Sequence, residues 1–134
     1  MSGQQQPVRR LPGDPPSPWE GLFGFSRTVI AGPLIIIGGT TSVDASGAVV
    51  GVTPYEQAAE IFRKLSAELE RAGGAAEDVI LLRAYVTDIS RAEDVGRAHH
   101  DAFGKVRPLL TMVEVAGLID PRMTVEIELT AYRP

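Results

Sequence analysis

The chain has 134 residues, with 44% hydrophobic and 22% charged side chains, the length and balance expected of one globular domain that buries its core without staples. It contains no cysteine, which excludes disulfides, thiolate nucleophiles and cysteine-bound zinc. A net charge of −4 argues against a nucleic-acid partner, because phosphate binding needs clustered Lys and Arg.

Residues 1–18 read as a Pro-rich tail and residues 19–134 as a single domain. Pro7, Pro12, Pro15, Pro16 and Pro18 leave little room in the tail for helix or ladder. The N-terminus lacks the charged-then-apolar layout of a secretory signal. The longest strongly apolar run, Leu34 to Ile37, falls far short of the ~20 residues that span a bilayer. The expected location is therefore cytoplasmic, with no membrane partner.

Phe23, Phe25, Thr28 and Val29-Ile30 lead into the turn signal Ala31-Gly32-Pro33, and Leu34 to Ile37 forms a buried-strand candidate ended by Gly38-Gly39. A second turn, Asp44 to Gly47, precedes Ala48-Val49-Val50, so the region predicts an antiparallel meander. Thr53, Pro54 and Glu56 carry the signature of a helix start, a capping box with proline at the first position. The stripe Ala58, Phe62, Leu65, Leu69 and Ala72 is one helical face, stopped by Gly73-Gly74. Val79 to Val86 predicts a central strand, with Ile80, Leu82, Ala84 and Val86 on one face and Leu81 and Tyr85 on the other. Ser90 and Glu93 suggest a second capping box, opening a helix that turns Val95, Ala98, Ala102 and Phe103 inward. Leu110 to Val115 and Met123 to Tyr132 predict two last strands. In the second, Met123, Val125, Ile127, Leu129 and Ala131 alternate with Thr124, Glu126, Glu128, Thr130 and Tyr132. The order ββ(β)αβαββ implies an α+β fold, a mixed sheet with two helices on one face. The other face must meet water or another subunit.

The stretch from Arg107 to Leu118, followed by Pro121 and by Val125-Glu126-Ile127-Glu128, resembles the C-terminal signature of the Rid/YjgF family, the reactive-intermediate deaminases. Gly38-Gly39, Ala67 to Gly73, Asp78-Val79, Tyr85 to Asp88 and Ala102-Phe103 agree with that family in order, so the likeness covers roughly residues 21–132. The resemblance implies a chorismate-mutase-like subunit that forms a homotrimeric barrel, with small-molecule clefts between neighbouring copies. It further implies hydrolysis of imines and enamines without metal or organic cofactor: water adds to the C=N carbon and ammonia leaves.

Carried over by position, the family's water-activating glutamate falls on Glu126 and its glycine after the second strand on Gly39. Its loop aromatic falls on Phe25, without the common tyrosine hydroxyl, and its second-helix asparagine on Arg97. Pro108 and Met112 flank the signature arginine position, which is Leu110 in this chain, and Thr111 joins them as a binding residue. Leucine cannot clamp a carboxylate, so the implied substrate is other than ordinary 2-imino acids, unless another arginine reaches the cleft. Arg107, Arg97, Arg27 and Arg122 are the candidates. A non-catalytic metabolite binder or a chaperone-like trimer is the alternative, and an endoribonuclease ranks behind both on the acidic balance.

Plainer roles stand beside these. Glu126 equally fits a polar residue lining a barrel, and Glu128 and Glu114 fit structural partners better than catalysts. His99 and His100 are adjacent on a helix, so they point apart and cannot chelate as an i,i+4 pair does. Trp19 suits packing of the tail, and Ser90 suits a cap.

Overall fold

The alternation that makes one face of each strand apolar produces a single mixed sheet in the order β1-β2-β3-β6-β4-β5. The computed structural model describes residues 7–134. Its strands are β1 (Arg9–Leu11), β2 (Thr28–Ala31), β3 (Leu34–Thr40), β4 (Val79–Val86), β5 (Leu109–Glu114) and β6 (Val125–Tyr132), and its α-helices are α1 (Pro18–Phe23), α2 (Pro54–Arg71) and α3 (Ala92–Phe103). Only β4 and β5 run parallel, joined by α3; the other neighbours are antiparallel.

The core forms where the apolar sheet face meets α2 and α3. Ile35, Ile37, Leu82, Ala84, Val86, Val125, Ile127, Leu129 and Ala131 pack there with Ala58, Ile61, Phe62, Leu65, Leu69, Val95, Ala98 and Phe103. Each large side chain so buried contributes about 1.5–3 kcal/mol. The capping box opening α2 is formed: Glu56 N donates to Thr53 Oγ1 at 3.1 Å and Thr53 N donates to Glu56 Oε1 at 3.0 Å. No helix among the described residues is long and apolar enough to cross a membrane.

Several local expectations are corrected. The first six residues of the expected tail lie outside the described residues. Arg9–Leu11 pairs with β2 despite the prolines around it, because those three residues keep their own N–H donors. The chain that follows is also held: the Arg71 guanidinium donates to Pro12 O, and Gly13 N donates to Glu20 Oε1 at 2.9 Å. Pro18 opens α1, a third helix, in which Trp19 remains exposed and stacks on Phe23 at 5.1 Å. Ala48–Val50 forms no strand beyond a single Val43–Val49 bridge. Asp44 Oδ1 draws the loop inward by accepting from Ser46 N, Ser46 Oγ and Ala48 N at 2.9, 2.7 and 3.0 Å. Ser90 is not the cap of α3. Its hydroxyl donates to Asp88 Oδ1 at 2.6 Å inside the 3-10 turn Ile89–Arg91, and the helix starts at Ala92. A register shift between Val79 and Leu81 turns Ile80 outward, and Ala102 is exposed on α3.

Gln57 joins helix to sheet. It is buried on α2, and its amide donates to Gly51 O at 3.2 Å and Arg122 O at 2.9 Å while accepting from Thr124 N at 2.8 Å and Thr124 Oγ1 at 3.0 Å. Gln57→Leu keeps the volume but leaves those groups unpaired. Urea unfolding should show a loss of about 2–4 kcal/mol.

Candidate functional site

Burial of Val125, Ile127 and Leu129 against the helices turns Glu126 and Glu128 onto the sheet face that no helix covers. Facing Glu126 is an irregularity in β3. Ile37 pairs with Leu129 but Thr40 pairs with Ile127, so one extra residue bulges at Gly38-Gly39. The bare Gly39 backbone forms the bed for the carboxylate: a Cβ at residue 39 would sit 2.6 Å from Glu126 Oε2. A side chain there would push the carboxylate aside.

Arg27 closes the bulge from the other side. Its Nη1 donates to Gly39 O at 2.8 Å and to Thr40 Oγ1 at 3.1 Å, and its own carbonyl accepts from Gly38 N at 3.0 Å. Thr40 Oγ1 in turn donates to Gly38 O at 2.9 Å. Carboxylate, glycine and guanidinium therefore form one constellation on β3, β6 and the start of β2.

Electrostatics single out Glu126 from its neighbour. Tyr85 Oη donates to Glu128 at 2.6 Å, and Arg83 lies 3.6 Å from it. Glu126 has no hydrogen-bond partner among the described residues. Burial pushes its carboxyl above the ordinary value of 4.5, Arg27 pulls the other way, and Glu128 adds to the rise. The same arginine acts on two further groups. Burial lowers the Lys64 ammonium, assisted by repulsion from Arg27, while Nζ donates to Thr41 O at 2.6 Å and Val43 O at 2.8 Å. Burial pushes Glu20 up, but the Gly13 and Ser17 amides, with Arg27, outweigh it and hold its carboxyl low.

The remaining predicted residues do not join this cluster within one subunit. Leu110 pairs with Leu82 and Met112 with Ala84, so both turn to the helix side and pack against the core. Thr111 pairs with Arg83 on the open face but stands on the edge strand, separated from β6 by β4. Phe25 is exposed in the loop before β2. Arg107 is exposed before β5, with φ of 61°. Arg97 lies on α3, bound to Asp94 at 3.2 Å and stacked 4.7 Å over the Tyr55 ring. Arg122 is held by Asp120, whose carboxyl it pulls down to about 2. Glu114 accepts from Ile89 N at 3.0 Å, a structural duty, and His99 packs edge-on to Phe62 and tilted against Phe103. Sequence reasoning counted Arg27 only as one arginine among four; the clustering of Gly39, Thr40 and Glu126 around it comes from the bulge.

The family model described as Endoribonuclease L-PSP matches residues 19–133. The chain belongs to the Rid/YjgF family. It is 38% identical over 126 residues to the uncharacterized protein SCO2049 of Streptomyces coelicolor, covering 94% of this chain and 92% of that one. It is 29% identical over 111 residues to the RutC family protein PH0854 of Pyrococcus horikoshii, covering 81% and 86%. The crystal structure of Rv2704 from Mycobacterium tuberculosis, a member of the YjgF/YER057c/UK114 family, superposes with a TM-score of 0.84 at 40% identity, over 94% of this chain and 99% of that one. The mixed sheet with its two covering helices is thus the chorismate-mutase-like α+β fold of this family.

In this Rid/YjgF chain Glu126 binds its proton more tightly folded than unfolded. Its contribution to stability is complete below the ordinary 4.5 and is lost as pH rises through the raised folded value. Glu126→Gln cannot titrate. Urea melts between about pH 4 and 8 should show the variant gaining on wild type as pH rises through that window, then running parallel above it.

Proposed function

We propose that this Rid/YjgF protein hydrolyses an imine or enamine in clefts formed between copies of itself, with Glu126 handling the water. The reading is carried by the Glu126 carboxylate, seated on the bare Gly39 backbone, without a hydrogen-bond partner among the described residues, and shifted toward neutrality by burial. A base working near neutral pH benefits from such a shift.

In the proposed reaction the imine enters protonated on nitrogen, and the Glu126 carboxylate takes a proton from water as the water oxygen bonds to the C=N carbon, giving a neutral carbinolamine. The glutamic acid then gives that proton to the amine. The C–N bond breaks as the carbonyl forms, the carboxylate takes up the hydroxyl proton, and ammonia departs. An enamine enters after tautomerising to the imine. Orientation of two small reactants supplies much of the rate.

Division of the site between copies is supported by the opposed directions of Glu126 and Leu110, which one subunit cannot bring together. It is also supported by the uncovered sheet face, where Ile36, Leu109, Val113 and Tyr132 are exposed. Large apolar side chains exposed together on one sheet face are usual where subunits meet. A homotrimer closing these faces into a barrel, working in the cytoplasm on a small molecule, completes the proposal. Since Leu110 offers no charge, ordinary 2-imino acids held by a clamp at that position are not the expected substrates. Leu110 also favours the second reading, a metabolite-binding trimer without turnover.

Imines generated in situ should lose ammonia faster with the protein than in buffer, and Glu126→Gln should cut that rate about 10²–10⁴-fold. Gly39→Ala obstructs only the mobile end of Glu126, so it should cost under about 1 kcal/mol of stability while lowering activity at least about tenfold. Binding without acceleration would favour the second reading. RNA cleavage dependent on Glu126 would overturn both.

A further inference from the structure

We propose that Arg27 is the anion anchor of this site, so that the favoured imines and enamines carry a carboxylate held from the Glu126 wall and not from position 110. The inference rests on the hydrolytic reading above and names its substrate class.

Four arginines stood as candidates to replace a clamp at position 110, and the structure separates them. Arg97 is engaged by Asp94 and Tyr55, and Arg122 by Asp120. Arg107 is exposed on the loop before β5, so in the proposed cleft it would come from the neighbouring copy, and within one subunit nothing ties it to the Gly39 seat. Of the four, Arg27 is the one tied to the seat of Glu126: its guanidinium binds the carbonyl of the glycine on which that carboxylate rests.

The donor inventory fits the task. A guanidinium carries five N–H groups in a planar fork. In Arg27 the two on Nη1 are used by Gly39 O and Thr40 Oγ1, while Nε and Nη2 have no partner among the described residues. The Nε–Nη2 edge matches a carboxylate bidentately. No carboxylate among the described residues lies within 4.0 Å of Arg27, although both Glu20 and Glu126 feel its charge. Glu20 is satisfied by the Gly13 and Ser17 amides at 2.9 and 2.7 Å, so it does not need the fork. The Nη1 bonds also fix the group before substrate arrives, which reduces the entropy lost on binding.

A purely structural Arg27 would steady the bulge and affect all substrates alike, whereas an anchor discriminates by charge. The test compares kcat/KM for a carboxylated imine, 2-iminopropanoate generated in situ, with an uncharged imine generated in situ from a primary amine. Wild type should favour the carboxylated imine at least about tenfold. Arg27→Gln should collapse that ratio mainly through KM, and Arg27→Lys should restore it in part, since charge returns without the fork. An unchanged ratio in Arg27→Gln, or a ratio abolished by Arg107→Gln instead, would overturn the assignment.

Should wild type turn over neither imine, the hydrolytic reading fails by itself, and the anchor is then read directly by titrating pyruvate and following backbone NMR shifts. Pyruvate binding that perturbs residues 27 and 39 and is lost in Arg27→Gln upholds it. Equal binding to both proteins, or none to either, overturns it.

Discussion

The seat of the Glu126 carboxylate on a glycine without a side chain is the constraint on which the site depends. Two features produce it, and each is imposed by packing. Strict alternation along β6 sends Val125, Ile127, Leu129 and Ala131 into the core, so Glu126 has no choice of face. A one-residue slip would bury Glu126 and Glu128 in an apolar layer, at a cost of several kcal/mol per unpaired charge. The bulge in β3 then brings the Gly39 backbone under the carboxylate at a separation that any side chain at position 39 would force wider. The core thus aims the side chain, and the irregularity in its neighbour strand gives it a place to lie.

Arg27 connects this seat to the rest of the molecule. Its amide donates to Leu11 O at 2.9 Å, its carbonyl accepts from Gly38, and its guanidinium holds Gly39 O and Thr40 Oγ1. One residue therefore ties β1, the start of β2 and the bulge together. Its positive charge lowers Glu126 and Glu20 and disfavours the Lys64 ammonium. Lys64 is kept close by two loop carbonyls that repay part of its burial. The cluster is electrostatically mixed, which explains why burial raises Glu126 yet leaves it a group able to ionise.

Long periodic elements were legible in the sequence, and short or irregular ones were not. β6 declares itself through uninterrupted alternation, and α2 through Thr53, Pro54 and Glu56 ahead of an apolar stripe; both formed as expected. β1 is three residues long among prolines, and its only signal is a partner strand seventeen or more residues away, which local pattern cannot register. Ser90 misled because Asp88, two residues earlier, is the stronger local acceptor and took its hydroxyl as a donor. Within the site, Glu126 and Gly39 were found through resemblance, and the structure brings them together. The opposed facing of Leu110 and Glu126 was invisible from sequence, since it follows from the parallel β4–β5 register and the antiparallel β4–β6 register read together.

That opposed facing bears on why a leucine is acceptable at position 110. Leu110 shares its face with Leu82 and packs against the core on an edge strand, so its apolar side chain is stabilised by burial whether or not a ligand ever touches it. An arginine there would have to keep its head in water or in a neighbour's cleft while its stem lay along the same core edge. Leucine removes that conflict and strengthens the edge, at the expense of any charge delivered from this strand. On the proposed reading the consequence is a transfer of duty: a cation already fixed at the β3 bulge, beside the carboxylate that handles water, takes up the recognition of substrate charge. The two halves of the reaction, water and anion, then fall to one wall of the cleft, and the β5 edge of the neighbouring copy supplies shape and apolar contact.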